Sequence, residues 1–341
     1  MLPRKFSCGW SPIARDLSVI ARIMKGSSAV VTLVSMLASS VSGMAVLAPG
    51  AKVAVVGGGA VQILSARLAA LRGFETTIAL PETEMATAKR LMFDDAHPEG
   101  SLPLKCLSIT GESASSEDIE ACVAGMEGLI IAFDNEGAFM PPSALKIFTD
   151  GSNLKHISLM SRTLNGGGMG FFPNAAKMAA NAEIWAGTDA LVAQFKKQDA
   201  EIRARASEIG ASCTIIRAGT LKGGASADAA IDDGNGEADF LNPYFYTMGQ
   251  QDVVNWRLLF DCSALGVEMM KGDTMQGPGF QAAMTATSLG AGDSHRGAVA
   301  SALVEAMRVQ AAQDGGDFSV ASVKGEAFPE PDAFAKMFAS A

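Results

Sequence analysis

Aromatic residues make up 6% of this 341-residue chain, and tyrosine occurs only at 244 and 246. So sparse a set excludes an aromatic stacking platform for single-stranded nucleic acid. Histidine occurs three times, at 97, 156 and 295, which excludes a histidine-rich metal centre. The five cysteines are an odd number with no CxxC pair and no Cys/His spacing of the zinc type, so they write neither a disulfide framework nor a zinc site. Basic residues are the minority, 27 Lys plus Arg against 36 Asp plus Glu, for a net charge of −9. That balance argues against a nucleic-acid partner, whose binding needs basic side chains to release phosphate counterions. What the chain does have is 48% hydrophobic residues, 36 glycines and 18 methionines, with only 18% charged residues. Such a composition buries a sizeable core and excludes global disorder. The length suits one large α/β domain or two small ones.

Residues 1–50 read as an address. Arg4, Lys5, Arg15 and Arg22 precede an apolar, small-residue run from Ala29 to Val41, which leaves through Ser42-Gly43-Met44-Ala45. A basic region, an apolar region and a small-residue exit make a targeting signal with cleavage after Ala45. Thr32, Ser35, Ser39 and Ser40 interrupt the run, so it is too short and polar for a membrane span, and none is expected in the mature form. The exit resembles the cleavage motif of plastid-targeted proteins in algae with secondary plastids, with Val46 where an aromatic is usual. Plastid targeting is the expectation; the alternatives are a mitochondrial or secretory address, or an ordinary buried helix.

The rest alternates strands with helices. Short apolar, β-branched runs at Lys52–Val56, Thr76–Leu80, Lys105–Ile109, Leu129–Phe133, His156–Met160 and Cys213–Arg217 predict six buried strands. Helices are expected at Ile63–Leu71, at Glu117–Ala124 capped by Ser115 or Ser116, at Thr188–Ile209 ahead of Gly210, and as an amphipathic helix at 299–312. Phe318–Val323 is one more strand-like run. The alternation implies a doubly wound parallel sheet with right-handed crossovers. The expected domain covers 51–325, with a small substrate lobe mainly at 219–295 and a tail at 326–341.

Between the first strand and helix lies Gly57-Gly58-Gly59-Ala60-Val61-Gln62. In a dinucleotide-binding fold such a turn brings bare backbone up to a pyrophosphate at the positive end of a helix. Gly57 and Gly59 match the first two glycines of GxGxxG, and Gln62 stands at the third. Gly57 to Gln62 are therefore the cofactor-binding candidates. Glu82, after the second strand, is a candidate for the adenosine ribose, or else a solvated acid at a helix N-terminus. Lys89 and Arg90 suit a 2′-phosphate instead, so NAD and NADP are not separated. Phe133, at the end of the fourth strand, joins the candidate cofactor set.

In order, VAVVGGGAV, ACVAGMEGLIIAF, KHISLMSR, FKKQDAEIRARASEIGASCTIIRAG and DSHRGAVASALVEAM resemble the atypical short-chain dehydrogenase/reductase family, especially its NmrA-like, NAD(P)-binding branch. Arg296 and Val299 fit the family's last motif, where its Asp is replaced by Gly297 or Ala298. The resemblance implies a Rossmann sheet with a small C-terminal substrate lobe, NAD(P) as cofactor and oxidoreductase chemistry. It implies that Lys197, followed by Glu201, is the family lysine, and that Ser158 or Ser161 is the strand-end serine; Lys197 and Ser161 are the catalytic candidates, and Lys197 is also a cofactor-binding candidate, as a ribose or nicotinamide contact. The family tyrosine position is Ala193, and with tyrosine only at 244 and 246 no YxxxK helix exists. Lys196 and Lys197 also suit a solvated helix face. Tyr244 and Tyr246 suit lobe core first, and otherwise an acid or a partner contact. Cys106, Cys122, Cys213 and Cys262 are expected as buried thiols.

Two functions follow. One is an NAD(P)-dependent reductase or isomerase of atypical mechanism, with an unknown small-molecule substrate. The other is a cofactor-sensing scaffold or assembly factor within an organelle complex, to which the missing tyrosine and Gln62 point. A degenerate fold that has lost its nucleotide stands behind both.

Overall fold

Apolar runs four or five residues long bury side chains on both faces of a parallel sheet, and the first strand shows how. Val53 and Val55 feed one core, while Ala54 and Val56 feed the other. The computed structural model describes residues 46–110, 115–134, 138–150, 152–162, 188–222, 266–273, 293–313, 315–323 and 328–341. The expected targeting segment before Val46, most of the expected lobe, Tyr244, Tyr246 and Cys262 lie outside these residues.

The strands are β1 (Lys52–Gly58), β2 (Glu75–Pro81), β3 (Leu104–Thr110), β4 (Gly128–Phe133), β5 (His156–Arg162), β6 (Ser212–Ala218), β7 (Thr220–Lys222), β8 (Gly266–Lys271), β9 (Asp293–His295) and β10 (Gly316–Val323). The helices are α1 (Ala60–Leu71), α2 (Glu82–Met92), α3 (Ser116–Val123), α4 (Pro142–Thr149), α5 (Thr188–Ile209), α6 (Arg296–Ala306), α7 (Gln310–Gln313) and α8 (Pro331–Ser340). The main sheet runs β3-β2-β1-β4-β5-β6-β10-β8. Every neighbouring pair is parallel except β10 with β8. The order 3-2-1-4-5-6 is that of the doubly wound, Rossmann-type sheet, and its direction of winding switches between β1 and β4.

α1, α2, α6, α7 and α8 cover one face, and α3, α4 and α5 the other. α1 presses close because Ala66, Ala69 and Ala70 are small, and its buried Arg67 is answered by the Met92 carbonyl at 2.5 Å and Asp94 at 2.8 Å. Burial works to raise the Asp94 carboxyl; hydrogen bonds from Arg67 and the His97 amide overcome it and hold the group below its usual range. The Ser115 hydroxyl caps α3 as expected, accepting from the Asp118 amide at 3.3 Å.

One expectation needs correction, and two others gain detail. The helix expected at 299–312 is α6 followed by the short α7, and all of α6 is buried, so it is not amphipathic. Its polar ends are paired instead, Glu305 with Arg72 at 3.0 Å and with Arg308 at 2.8 Å. β8, inside the stretch where the substrate lobe is mainly expected, is the antiparallel edge of the main sheet. The expected tail carries α8, whose Phe334 and Phe338 are buried, Phe338 edge-on to Phe318 with ring centroids 4.9 Å apart.

Candidate functional site

The site grows from the carboxyl ends of β1, β4, β5 and β6, where open sheets of this order place their ligands. Gly57 pairs with Ala132 so closely that a Cβ on it would stand 1.6 Å from the Ala132 carbonyl oxygen, and its φ is 147°. Gly59 has φ 97° and offers α1 no side-chain cap. The first amides of α1 therefore face the crevice between β1 and β4 with no partner inside the helix.

That partner is Asp134, the residue after β4. Its carboxylate accepts from the Val61 amide at 2.9 Å (Oδ1) and from the Ala60 amide at 3.2 Å (Oδ2). Its own amide donates to the Gly58 carbonyl at 2.9 Å. A Cβ on Gly59 would come within 2.5 Å of the Asp134 Cβ, so this glycine admits the carboxylate. The Arg296 guanidinium donates to Oδ2 at 3.1 Å, and both side chains of the pair are nearly buried. Arg162, from β5, donates to the Asp134 carbonyl at 2.9 Å and to the Gly219 carbonyl at 3.0 Å, tying the ends of β4, β5 and β6 together.

Arg296 is delivered by a small second sheet. β7 pairs in parallel with β9, and α6 starts immediately after β9. The Ser294 hydroxyl accepts from the Gly219 amide and donates to the Val320 carbonyl, at 2.8 and 2.5 Å. His295 caps α6, its Nδ1 accepting from the Gly297 amide at 3.0 Å. Burial, helped by neighbouring Arg296, pushes the His295 imidazole down to about 4, so it is neutral at physiological pH.

The other expected residues fall in separate places. Phe133 pairs with Gly58 and flanks the turn. Gln62 is wholly buried, and its amide donates to the Val55 carbonyl at 3.3 Å and the Ala79 carbonyl at 2.8 Å. It ties α1 to the ends of β1 and β2, where the usual third glycine would only let the helix approach. Glu82 opens α2 at the end of β2, and its side chain is exposed. Lys89 is engaged by Glu99 at 2.6 Å.

Lys197 is exposed, with Nζ 3.8 Å from Glu201. The face of α5 that meets the sheet carries Gln198 and Asp199 instead. Gln198 accepts from the Met140 amide at 2.9 Å. Asp199 pairs with Arg217 of β6 at 3.0 Å, and Arg217 also pairs with Asp317 at 2.5 Å. Burial pushes the Asp199 carboxyl up, against the pull of Arg217 and of Ser161. Ser161 is buried in β5 beside this cluster, so the structure brings it to Asp199 and Arg217 while Lys197 stays on the solvated side. Ala193, at the position expected for the tyrosine, is exposed.

Cys106, Cys122 and Cys213, expected as buried thiols, are half-buried as residues. Desolvation still pushes all three thiols up, Cys213 to about 12. Cys106 and Cys122 line a cavity of about 740 Å³ under α3, at the amino ends of β1 to β3 and so at the far end of these strands from the glycine turn. Among the described residues no cluster suits a metal ion, and no helix is long and apolar enough to cross a membrane.

Sequence reasoning missed Asp134 and Asp199. For Asp199, the 3.6-residue period shows that it cannot share a face with Lys197, two positions earlier.

No family model matches the chain, and no curated protein matches it. Among solved structures it is similar to a Bacillus halodurans protein assigned to the NAD-dependent epimerase/dehydratases, at 12% identity over 86% of this chain and 100% of that one, with a TM-score of 0.46. It is similar to a short-chain dehydrogenase/reductase from Veillonella parvula, at 12% identity over 82% and 99%, with a TM-score of 0.44. The anaerobillin reductase ChuY of Escherichia coli matches at 11% identity over 82% and 100%, with a TM-score of 0.40. At such identities the Rossmann-type fold rests on the chain's own strand order.

Proposed function

We propose that the chain is an NAD(P)-binding protein of the atypical short-chain dehydrogenase/reductase type, oxidoreductase in class. One observation carries the reading. At the switch point of a 3-2-1-4-5-6 sheet, a glycine turn directs the amides of Ala60 and Val61 onto an anion. The backbone thus fits the diphosphate of a dinucleotide, and the position it needs is the one the Asp134 carboxylate holds. In this reading Gly57 to Val61 bind the diphosphate, Phe133 borders it, Gln62 fixes the helix behind it, and Glu82 at the end of β2 meets the adenosine ribose. The nicotinamide, when bound, supplies hydride transfer.

A second reading, the cofactor-sensing scaffold, draws on three observations: Ala193 at the tyrosine position, Lys197 turned outward, and an acid in the diphosphate position. Titration of the full chain with NADH and NADPH tests the common core of both readings. Thermal stabilisation that grows with ligand as mass action requires supports them. No shift with either dinucleotide at millimolar concentration leaves the degenerate fold. Turnover of bound cofactor by any carbonyl substrate then separates enzyme from scaffold.

The plastid address also stands as a proposal. One of the chain's two compact units begins at Val46, directly after the expected cleavage site, and within it the Leu47 amide donates to the Met307 carbonyl at 3.0 Å. A mature amino terminus found elsewhere by sequencing the organellar protein would contradict it.

A further inference from the structure

The geometry points to Asp134 as a built-in competitor for the diphosphate, a latch that keeps the dinucleotide site closed until its carboxylate is displaced. This rests on the dinucleotide reading above and adds to it a control on affinity. Three features support it. The carboxylate takes two of the first-turn amides of α1, those of Ala60 and Val61, groups that a diphosphate would use. Its charge is answered from outside the turn by Arg296, so the closed state is a completed ion pair and not a loose cap. The backbone on either side is clamped, through the Gly58 carbonyl on one hand and Arg162 on the other. The side chain can therefore leave by rotating about its own bonds while strand β4 stays in register.

A dinucleotide meets this latch in two ways. Its diphosphate needs the same amides, and its negative charge opposes that of the carboxylate. Apparent affinity is then the intrinsic affinity reduced by the fraction of molecules whose latch is open. Removing the carboxylate removes that reduction. Asp134→Asn keeps an acceptor for one of the two amides of Ala60 and Val61 but loses the charge and the ion pair with Arg296, so it disturbs the fold less than a truncation does. Asp134→Ala empties the position.

The test uses the full chain as wild type, Asp134→Asn and Asp134→Ala, each shown by cooperative unfolding to be folded. The probes are NADH, NADPH and inorganic pyrophosphate, read by calorimetric titration and thermal shift. The latch predicts dinucleotide dissociation constants at least about tenfold lower in both variants than in the wild type. It also predicts that pyrophosphate stabilises the variants and not the wild type. Equal dissociation constants in all three proteins overturn the latch and leave the dinucleotide reading standing. Pyrophosphate bound by the variants alone, with no dinucleotide bound by any of the three, supports Asp134 as an internal anion and overturns the dinucleotide reading. No binding of any probe by any folded variant overturns both.

Discussion

Acid should unfold this protein sooner than its surface charge implies, because two histidines are held neutral in the core. His156 is 0% exposed and His295 is 1% exposed. His156 Nδ1 lies 2.5 Å from the Ser212 hydroxyl, and the Nε2 atoms of both rings have no hydrogen-bond partner among the described residues. Desolvation pushes His156 down to about 3, and desolvation together with Arg296 pushes His295 down to about 4. In the unfolded chain both return to about 6.5. Between those limits the unfolded chain binds protons that the folded chain refuses, so stability rises with pH and falls on acidification. Each histidine removes about 1.4 kcal/mol per pH unit over that window. From pH 6.5 to 5 the loss is about 2 kcal/mol each, or about 4 kcal/mol together, a large part of the 5 to 15 kcal/mol typical of a domain. Asp94, held low, loses its contribution only below this window, and Asp199, held high, works against the slope at its acid end. Urea midpoints measured at intervals from pH 7.5 to 5 read the effect, and His156→Gln should remove about half of it. A midpoint flat between pH 7 and 5, or an unchanged slope in the variant, would refute the reasoning.

Other outcomes follow from the same contacts. Gly57→Ala forces a Cβ into the Ala132 carbonyl and should leave little folded protein; normal yield and melting temperature would show that β1 and β4 can separate there. Gln62→Ala strips the amide from two buried carbonyls and should cost about 2 kcal/mol in urea unfolding. Asp134→Ala removes the only side chain, among the described residues, found on the first amides of α1 and should cost about 1 to 2 kcal/mol; a loss near zero would place no weight on the cap. Lys197→Ala should shift stability by under about 0.5 kcal/mol, because its pair with Glu201 is exposed, and should leave dinucleotide affinity unchanged. Weakened affinity in that variant would restore the family role to Lys197.

The strands were legible because a parallel sheet buried on both sides leaves continuous apolar runs, and the glycine turn because only glycine tolerates its backbone and its closeness to β4. Thr188–Ile209 showed as a helix of the same limits. What stayed hidden depended on the third dimension. Asp134 is 74 residues from Ala60 along the chain, and only the pairing of Gly58 with Phe133 brings it to the turn. Helical spacing set Lys197 and Asp199 on different faces without saying which one meets the sheet. The spacing at 299–312 suggests an amphipathic helix, yet Glu305 turns inward onto Arg72, just past α1, and Arg296, at the start of α6, turns onto Asp134, just past β4. Residues 331–340 looked like a tail because a ten-residue helix holding two buried phenylalanines writes too short a pattern to stand out.

Amide spectra of the isotope-labelled full chain during titration with NADPH, and then NADH, examine the glycine turn most directly. The resonances of Ala60 and Val61 should move furthest, together with Gly58, Gly59 and Asp134, and should do so at lower ligand concentration in Asp134→Asn. Shifts confined to other strands, or none with either dinucleotide in either protein, would contradict the dinucleotide reading.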